Sequence, residues 1–327
     1  MNKILCVGGE ADKHLGVFND LKDFSKDVDV LYIQPKYRTG IMGLICRVLL
    51  SARLNDIIPI PSFVKYLFYN ISSCDCRNYD IILFVNGSLS SPFICRFLKK
   101  CKKRNVKIVL YVLDCLSSGS PVLKKTARLI KSSIWSEVFT FDINDAQLYG
   151  FKYIGLFYYS MLNNIQIFDN PKYDLYFTGG LKGGREKMIE DAFIAGKNNQ
   201  TNLSFDVMTY NRNDVNYIDG IEYRNYWISY ESIVEKVCGS NCILDICQDN
   251  QVGPSFRYFE AVCYNRKLLT NNPNIKTLPY YNPRWMRIFS NVENIDWDWV
   301  KVREDVQYNY KGDFSPKKLI EFLNKYY

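Results

Sequence analysis

The sequence is almost free of histidine, since His14 is the only one in 327 residues. A zinc site built on several imidazoles is therefore excluded. Cysteine is present, but its eleven residues are scattered without a repeated spacing. The group Cys238, Cys242 and Cys247 lies partly in an apolar run, and free cysteine usually behaves as a small buried hydrophobe. We therefore expect buried thiols there and no bound metal.

The sequence also lacks an uninterrupted apolar run long enough to span a bilayer. Its most apolar segment, from Ile41 to Asn70, is broken by charged residues such as Arg47 and Lys65. An apolar face with basic flanks suits peripheral contact with the inner face of the plasma membrane, but packing against the protein's own sheet is the more common role. We expect core packing there, with membrane contact as the alternative.

Three further signatures are missing. The residues Gly8-Gly9-Glu10 lack Gly-x-Gly-x-x-Gly spacing, which argues against a dinucleotide oxidoreductase. No Asp-x-Asp pair follows a predicted strand, which argues against a divalent metal held by such a pair. Met1-Asn2-Lys3 leads directly into a strand-like run without the apolar core of a signal peptide, so we expect a cytoplasmic protein with reduced thiols.

A basic balance is present: 42 Lys and Arg against 34 Asp and Glu give a net charge of +8. Such a charge suits an anionic partner, which could be a nucleic acid, a phosphate-bearing small molecule or an anionic membrane. The basic residues are dispersed and no nucleic-acid recognition motif is found, so we expect no nucleic acid partner.

Short β-branched runs alternate with helical stretches along the whole chain, which predicts an α/β protein of parallel strands joined by crossover helices. In the first half the predicted strands are Lys3 to Val7, Val28 to Ile33, Ile81 to Val85, Lys107 to Val112 and Val138 to Phe141. In the second half they are Tyr173 to Thr178, Leu203 to Met208, Cys242 to Ile246 and Lys267 to Thr270. A linker-like stretch between them predicts domains over 1–160 and 161–315, with a helix over 316–327 that packs back on the first domain.

One stretch carries most of the chemistry. A buried strand ends near Ile246, a Gly253-Pro254 turn follows, and Ser255 stands at an N-cap position. The new helix would direct free N–H groups at a diphosphate, and Arg257 would add a fork of donors. Glu260 could accept hydrogen bonds from two ribose hydroxyls. The alternative is a capping serine, a solvated arginine and an ordinary helix ion pair.

A glycine-rich turn over 179–184 follows the first strand of the second half. Gly179 and Gly180 would let the backbone approach a phosphate, while Lys182 and Arg185 would neutralise its charge. A plain tight turn is the alternative.

These stretches resemble a known family. The run Gln251-x-Gly253-x-Ser255-x-Arg257-x-x-Glu260-Ala261, followed by Asn265-Arg266-Lys267-Leu268-Leu269-Thr270-Asn271-Asn272, is similar to the donor-binding signature of GT-B glycosyltransferases of lipopolysaccharide O-antigen and capsule synthesis. It also resembles the C-terminal region of CgeB-like enzymes. Two further stretches, 139–158 and 173–185, resemble the corresponding parts of the same bacterial group.

The resemblance implies two Rossmann-like domains that face a central cleft, the first binding the acceptor and the second the donor. It implies a metal-independent glycosyltransferase (EC 2.4) that moves sugar from a nucleotide-sugar to a saccharide or lipid-linked oligosaccharide acceptor, with no further cofactor. The implied donor-binding residues are Gly179, Gly180, Lys182, Arg185, Gln251, Gly253, Ser255, Arg257, Glu260 and Asn271. Many retaining members carry two glutamates here, and this sequence has only Glu260, so the stereochemistry stays open.

An inverting transfer would also need a general base from the first domain. Asp114 and Glu10 each follow a predicted strand and are the candidates, with Asp12 and His14 beside Glu10. A different class of function is also consistent with the charge and the aromatic residues: an α/β protein that binds a nucleotide or nucleic acid without catalysis.

Overall fold

The structure is a computed structural model of the chain. It describes residues 2–57, 59–85, 88–89, 94–104, 106–113, 116, 129–130, 132–162, 165–168, 170–181, 184–210, 214–226, 228–247 and 252–327. The chain forms two compact units. Unit 1 comprises Met1–Ser160 and Phe314–Tyr327, and unit 2 comprises Met161–Asp313. The sequence placed these divisions after residues 160 and 315.

Unit 1 is built on a six-stranded, wholly parallel sheet in the order β2-β1-β3-β4-β5-β6. Its strands are β1 (Ile4–Gly8), β2 (Val28–Tyr32), β3 (Ile81–Val85), β4 (Lys107–Val112), β5 (Glu137–Thr140) and β6 (Lys152–Tyr153). The central strands β1 and β3 are buried along their whole length, because helices cover both faces of a parallel sheet. The two-residue edge strand β6 carries too short a pattern to be predicted.

The α-helices of unit 1 span Glu10–His14, Gly40–Leu50, Ala52–Ile57, Ser62–Leu67, Ile94–Lys103, Ile143–Tyr149 and Pro316–Tyr326. The helix Ile94–Lys103 buries Ile94, Phe97 and Cys101 at helical spacing and turns its lysines outward. The C-terminal helix belongs to unit 1, where the rings of Phe322 and Tyr326 meet Phe139 edge-on.

The segment 41–70 does not pack as expected. On the helix Gly40–Leu50, the buried residues are the small Gly43 and Cys46, while Ile41, Leu44 and Val48 are exposed. A Cβ on Gly43 would come within 2.6 Å of the carbonyl carbon of Arg38, so the helix lies directly on the backbone before it. The expectation of core packing is therefore wrong for Ile41, Leu44 and Val48. Leu49 and Leu50 at the end of the helix are half-buried, and Tyr66 farther along the segment belongs to the core.

Unit 2 is built on a second six-stranded parallel sheet in the order β12-β11-β10-β7-β8-β9. Its strands are β7 (Tyr173–Gly180), β8 (Leu203–Met208), β9 (Glu222–Arg224), β10 (Ser240–Asp245), β11 (Lys267–Thr270) and β12 (Met286–Ile288). Counted within the unit this is the doubly wound order 3-2-1-4-5-6, which reverses direction between β7 and β10. The short outer strands β9 and β12 were not predicted, whereas β8 and β11 have the predicted bounds.

The α-helices of unit 2 span Glu186–Asn198, Tyr230–Cys238, Phe256–Cys263 and Trp297–Lys301. One side of the sheet packs an apolar core in which Phe177 of β7, Phe205 of β8 and Leu244 of β10 meet Phe193 of the first of these helices. The prediction that a turn begins at Gly179 is wrong, because Gly179 and Gly180 continue β7 in register with Val207 and Met208. In the described part of the chain, no helix is long and apolar enough to cross a membrane.

Candidate functional site

The candidate site lies in unit 2, at the sheet edge where β7 and β10 end side by side. This is the point at which the strand order reverses. The chain leaves β7 towards one side and β10 towards the other, which opens a crevice beyond the carboxyl ends of the two strands. Ligands of doubly wound sheets bind in such crevices.

Asp245, the last residue of β10, organises this edge. Its buried carboxylate accepts hydrogen bonds from the hydroxyls of Ser255 at 2.7 Å and Thr270 at 2.8 Å. The thiol of Cys247 donates to it as well, at 3.6 Å. One carboxylate therefore joins the end of β10, the end of β11 and the start of the next helix.

Ser255 caps that helix, as predicted. Its hydroxyl oxygen accepts the backbone N–H of Arg257 at 3.0 Å while donating its own proton to Asp245. The helix Phe256–Cys263 thus begins at the carboxyl end of β10. A helix start carries free N–H groups and a partial positive charge, which favour an anion.

Arg185, the residue before the helix Glu186–Asn198, spans the crevice. Its Nε donates to the carbonyl oxygen of Gly180 and its Nη1 to that of Ile246, both at 2.9 Å. Gly180 is the last residue of β7 and Ile246 directly follows β10. The guanidinium is therefore fixed at the point where the strand order reverses. Gly179 leaves room for it, because a Cβ there would lie 3.0 Å from Nη2 of Arg185.

The charges around Arg185 are only partly balanced. Burial lowers the pKa of Arg185, Asp245 raises it, and the nearby positive charge of Arg257 lowers it further. Two guanidinium groups therefore act on one another at this edge. A bound anion would offset that repulsion as well as the loss of hydration.

Arg257 and Glu260 form an ion pair one helical turn apart, with 2.7 Å between Nη1 and Oε2. Glu260 is fully buried, and burial raises its pKa to about 7, against the opposing effects of Arg257 and of a hydrogen bond with Tyr230. In this structure the carboxylate is thus turned towards the protein. Its predicted contact with ribose hydroxyls stays a prediction.

The loop after β10 is held by two asparagines that follow β11. The side-chain oxygen of Asn271 accepts the N–H of Cys247 at 2.8 Å. The side-chain amide of Asn272 donates to the carbonyls of Val252 and Gly253, each at 3.2 Å. Asn271 and Gly253 were predicted as donor-binding residues, and here they shape the loop. Lys182 and Gln251 lie outside the described residues.

Tyr210, just after β8, completes the edge beside Gly180. A Cβ on Gly180 would lie 2.2 Å from the tyrosine ring, so the glycine permits this close contact. Tyr210 has a left-handed backbone, with φ of 53°, which is unusual for a residue with a ring and is often found at functional sites. Sequence reasoning missed Tyr210, Asp245, Thr270 and Asn272 as site residues, although the last three lie at or next to the ends of predicted strands.

The candidate bases lie in unit 1. Glu10 begins the short helix after β1 and is exposed, as is His14 at its end. Asp12 is buried and accepts the backbone N–H of Gly9 at 2.6 Å, so it stabilises the turn. Asp114 lies outside the described residues. The catalytic assignment of Glu10 and Asp114 stays a prediction.

No metal centre is assembled in the part of the chain that the structure describes: no group of three or more His, Cys, Asp or Glu is placed to hold an ion. Cys238, Cys242 and Cys247, the only cluster considered from the sequence, are each buried. Burial raises the pKa of the Cys242 thiol to about 12, which disfavours the thiolate that a metal needs.

No protein-family model and no curated protein matches the sequence. Solved structures match its fold. A structure of S. aureus MnaA with UDP has a TM-score of 0.55 at 12% identity, over 100% of this chain and 97% of that chain. An alpha-glucosyltransferase in complex with UDP-glucose and DNA containing an abasic site has a TM-score of 0.53 at 8% identity, over 98% and 99%.

A mutant of S. aureus TarM in complex with Fondaparinux, alpha-GlcNAc-glycerol and UDP also has a TM-score of 0.53, at 10% identity. This match covers 77% of this chain and 56% of that chain. At such identities the likeness concerns the fold. The predicted fold class, α/β with two Rossmann-like parallel sheets of the GT-B kind, is confirmed.

Proposed function

We propose that this chain is a glycosyltransferase that uses a nucleoside-diphosphate sugar, with the diphosphate bound where β7 and β10 end. Three solved structures with the same fold hold UDP or UDP-glucose. Together with the donor-binding motif, they favour a uridine diphosphate sugar as the donor.

The observation that carries the proposal is the placement of Arg185. Its guanidinium is fixed by two carbonyls at the switch point, in the unit whose helix start at Ser255 follows the neighbouring strand. A fixed cation and a helix start at one crevice suit a diphosphate, because both act without first having to be ordered.

The same groups explain how transfer would be accelerated. When the bond between sugar and diphosphate breaks, negative charge grows on the leaving diphosphate. Arg185 and the N–H groups beyond Ser255 would stabilise that charge more strongly in the transition state than in the bound donor. A metal ion is not required for this role, so we propose a metal-independent reaction without a further cofactor.

The proposed acceptor is a saccharide of a surface polysaccharide: lipopolysaccharide, O-antigen or capsule. The motif resemblance in the sequence supports this choice. Glu10 or Asp114 would remove the proton from the acceptor hydroxyl if the transfer inverts the anomeric centre.

Calorimetry tests the donor site. UDP should bind the full chain more tightly than ADP, GDP or CDP, with or without EDTA. Arg185→Gln should weaken UDP binding by about 10- to 100-fold, because a charge-assisted hydrogen bond contributes about 1.5–3 kcal/mol.

Arg303→Gln is the matched control for this binding experiment. Arg303 lies in the same unit and pairs with Asp174, at the opposite end of β7, with 3.0 Å between Nη2 and Oδ1. Arg303→Gln should bind UDP as the wild type does. Equal UDP affinity in Arg185→Gln and wild type, both folded by circular dichroism, contradicts the assignment of the site.

Turnover tests the reaction itself. UDP release from a panel of UDP-sugars should rise when oligosaccharide acceptors are added. One structural neighbour holds DNA, so oligonucleotides belong in the acceptor panel. Tight UDP binding without turnover on any acceptor favours the alternative, a nucleotide-binding protein without catalysis.

A further inference from the structure

The helix Gly40–Leu50 of unit 1 exposes a stripe of large apolar side chains. Ile41, Leu44, Ile45 and Val48 follow helical i, i+3, i+4, i+7 spacing and therefore share one face. Ile41 is 80% exposed, Leu44 56% and Val48 50%. Amphipathic helices of globular proteins normally bury such a stripe, so this helix is turned the opposite way.

The inverted orientation is built into the local structure. The small residues Gly43 and Cys46 form the inward face, and Gly43 touches the backbone of Arg38. A rotation that brought Leu44 or Val48 inward would push a branched side chain into the space that a glycine barely fits. The stripe therefore has no alternative place beneath its own helix.

The two neighbouring helices, Ala52–Ile57 and Ser62–Leu67, also expose large apolar side chains. Ile57, Phe63 and Leu67 are also exposed. Both ends of the segment are tied together, because Pro35 and Tyr69 form an antiparallel bridge and the N–H of Lys36 donates to the carbonyl of Phe68 at 2.8 Å. The described residues between 37 and 67 thus belong to a segment of unit 1 whose two ends lie next to each other. We call its exposed residues Ile41, Leu44, Ile45, Val48, Ile57, Phe63 and Leu67 the apolar surface.

The charged residues of this segment are almost all basic. Between residues 34 and 72 the sequence contains Lys36, Arg38, Arg47, Arg53 and Lys65 against a single acidic residue, Asp56. Arg38 and Arg47 are exposed, and Arg47 lies beside Val48 on the same helix. Exposed apolar side chains flanked by basic ones fit the boundary between acyl chains and anionic headgroups.

We propose that the apolar surface docks this protein on an anionic lipid bilayer, with the helix Gly40–Leu50 lying in the plane of the membrane interface. The exposed stripe enters the acyl boundary, and the flanking arginines and lysines contact the headgroup phosphates. A second copy of the chain suits this surface less well, because a symmetric contact would bring the same basic residues together. The proposal concerns unit 1 and does not depend on the function proposed for unit 2.

Cosedimentation of the full chain with vesicles tests the proposal. The wild type should bind vesicles that contain phosphatidylglycerol, bind phosphatidylcholine vesicles weakly, and lose binding as salt is added. The double variant Leu44→Ser/Val48→Ser should bind at least about tenfold more weakly, since each large apolar side chain contributes about that factor.

The matched control is Ile143→Ser/Leu148→Ser on the helix Ile143–Tyr149 of the same unit. These residues are 55% and 66% exposed, so the change in composition and exposure is comparable. This control should bind vesicles as the wild type does. For the charges, Arg47→Gln should reduce the preference for phosphatidylglycerol, whereas Lys103→Gln, also exposed, should not.

Three results overturn the proposal. The first is no vesicle binding by the wild type, and the second is equal binding by Leu44→Ser/Val48→Ser and its control. The third is a lipid-free dimer in light scattering that the Leu44→Ser/Val48→Ser change dissociates, which assigns the surface to self-association. UDP affinity measured on the same samples keeps a failure here separate from a failure of the donor site.

Discussion

The two units end their first strand in the same way, with a glycine beneath a tyrosine. In unit 1 a Cβ on Gly8 would lie 2.9 Å from the ring of Tyr32, and in unit 2 one on Gly180 would lie 2.2 Å from the ring of Tyr210. The tyrosines differ in exposure and in backbone conformation. Tyr32 is half-buried and its hydroxyl accepts the N–H of Phe18 at 3.2 Å, whereas Tyr210 is exposed and has a left-handed backbone.

Buried carboxylates of the two units also differ in their partners. In unit 1, Asp12 accepts the backbone N–H of Gly9 in the turn after β1, and Asp145 accepts the backbone N–H of Leu116 at 2.7 Å. In unit 2, Asp245 accepts hydrogen bonds from three side-chain donors. Its negative charge also acts to raise the pKa of Arg185, against the larger effect of burial. The two parallel six-stranded sheets, which differ in strand order, therefore differ also in these carboxylates. Those named in unit 1 accept backbone N–H groups, whereas Asp245 in unit 2 joins side chains beside a guanidinium.

Removal of the Asp245 carboxylate should give the largest difference in stability between the two units. Asp245→Ala leaves three donors without their acceptor, two of them hydroxyls, and should lower the free energy of unfolding by roughly 3–5 kcal/mol. Asp12→Ala in unit 1 removes the side-chain acceptor of the Gly9 backbone N–H and should cost about 1–2 kcal/mol. Urea denaturation of both variants measures the difference.

Asp245→Asn serves as the control, because an amide keeps one acceptor oxygen and should fall between wild type and Asp245→Ala. If both Asp245→Ala and Asp12→Ala lower the free energy of unfolding equally, the hydrogen bonds of Asp245 stabilise the chain no more than the one bond that Asp12 accepts from Gly9.

Glu260 should make the free energy of unfolding depend on pH, which provides a second comparison between the units. Its folded pKa of about 7 exceeds the unfolded value of 4.5, so between these values the folded chain keeps a proton that the unfolded chain has lost. The contribution of Glu260 to the free energy of unfolding therefore falls as pH rises, by about 2 kcal/mol between pH 5 and 7.5. Glu260→Gln should lack this fall in urea titrations at the two pH values.

Asp20 of unit 1 supplies the contrast. Burial raises its pKa too, but a hydrogen bond from Ser315 and the charge of Lys317 oppose the shift. Asp20→Asn should therefore change the pH dependence in the same direction and by less. A Glu260→Gln variant that loses stability with pH as steeply as the wild type speaks against a buried, protonated Glu260.

The long buried strands and the cap at Ser255 could be predicted from the sequence, because each depends on a local pattern: an apolar run, or a serine after a glycine-proline turn. The bounds of β3, β4, β8 and β11 agree with the prediction. The edge strands β6, β9 and β12 have two or three residues each and no such pattern. Their pairing is decided by neighbours that are distant in sequence.

The site was predicted less completely, for the same reason. The motif around Ser255 pointed to the sheet edge where β10 ends, which is also where the structure assembles the candidate site. It favoured Arg257 as the anion ligand, and the structure pairs Arg257 with Glu260. Arg185 gains its position from carbonyls 5 and 61 residues away in sequence. Such a contact cannot be predicted from the spacing of residues along the sequence. The orientation of the helix Gly40–Leu50 was likewise set by a backbone contact at Gly43 that periodicity does not reveal.

The two glycines offer the finest test of the opening comparison. In Gly8→Ala the new methyl group meets a ring whose hydroxyl is held by Phe18, so the ring cannot move away and stability should fall by about 2 kcal/mol. In Gly180→Ala the clash is closer, but Tyr210 is 39% exposed, so its ring displaces fewer packed atoms when it shifts and the loss should stay below about 1 kcal/mol. Thermal unfolding compares the two. If Gly180→Ala proves the more costly, the exposure of the tyrosine ring does not decide the cost of the added methyl group, and this contrast between the two units does not hold.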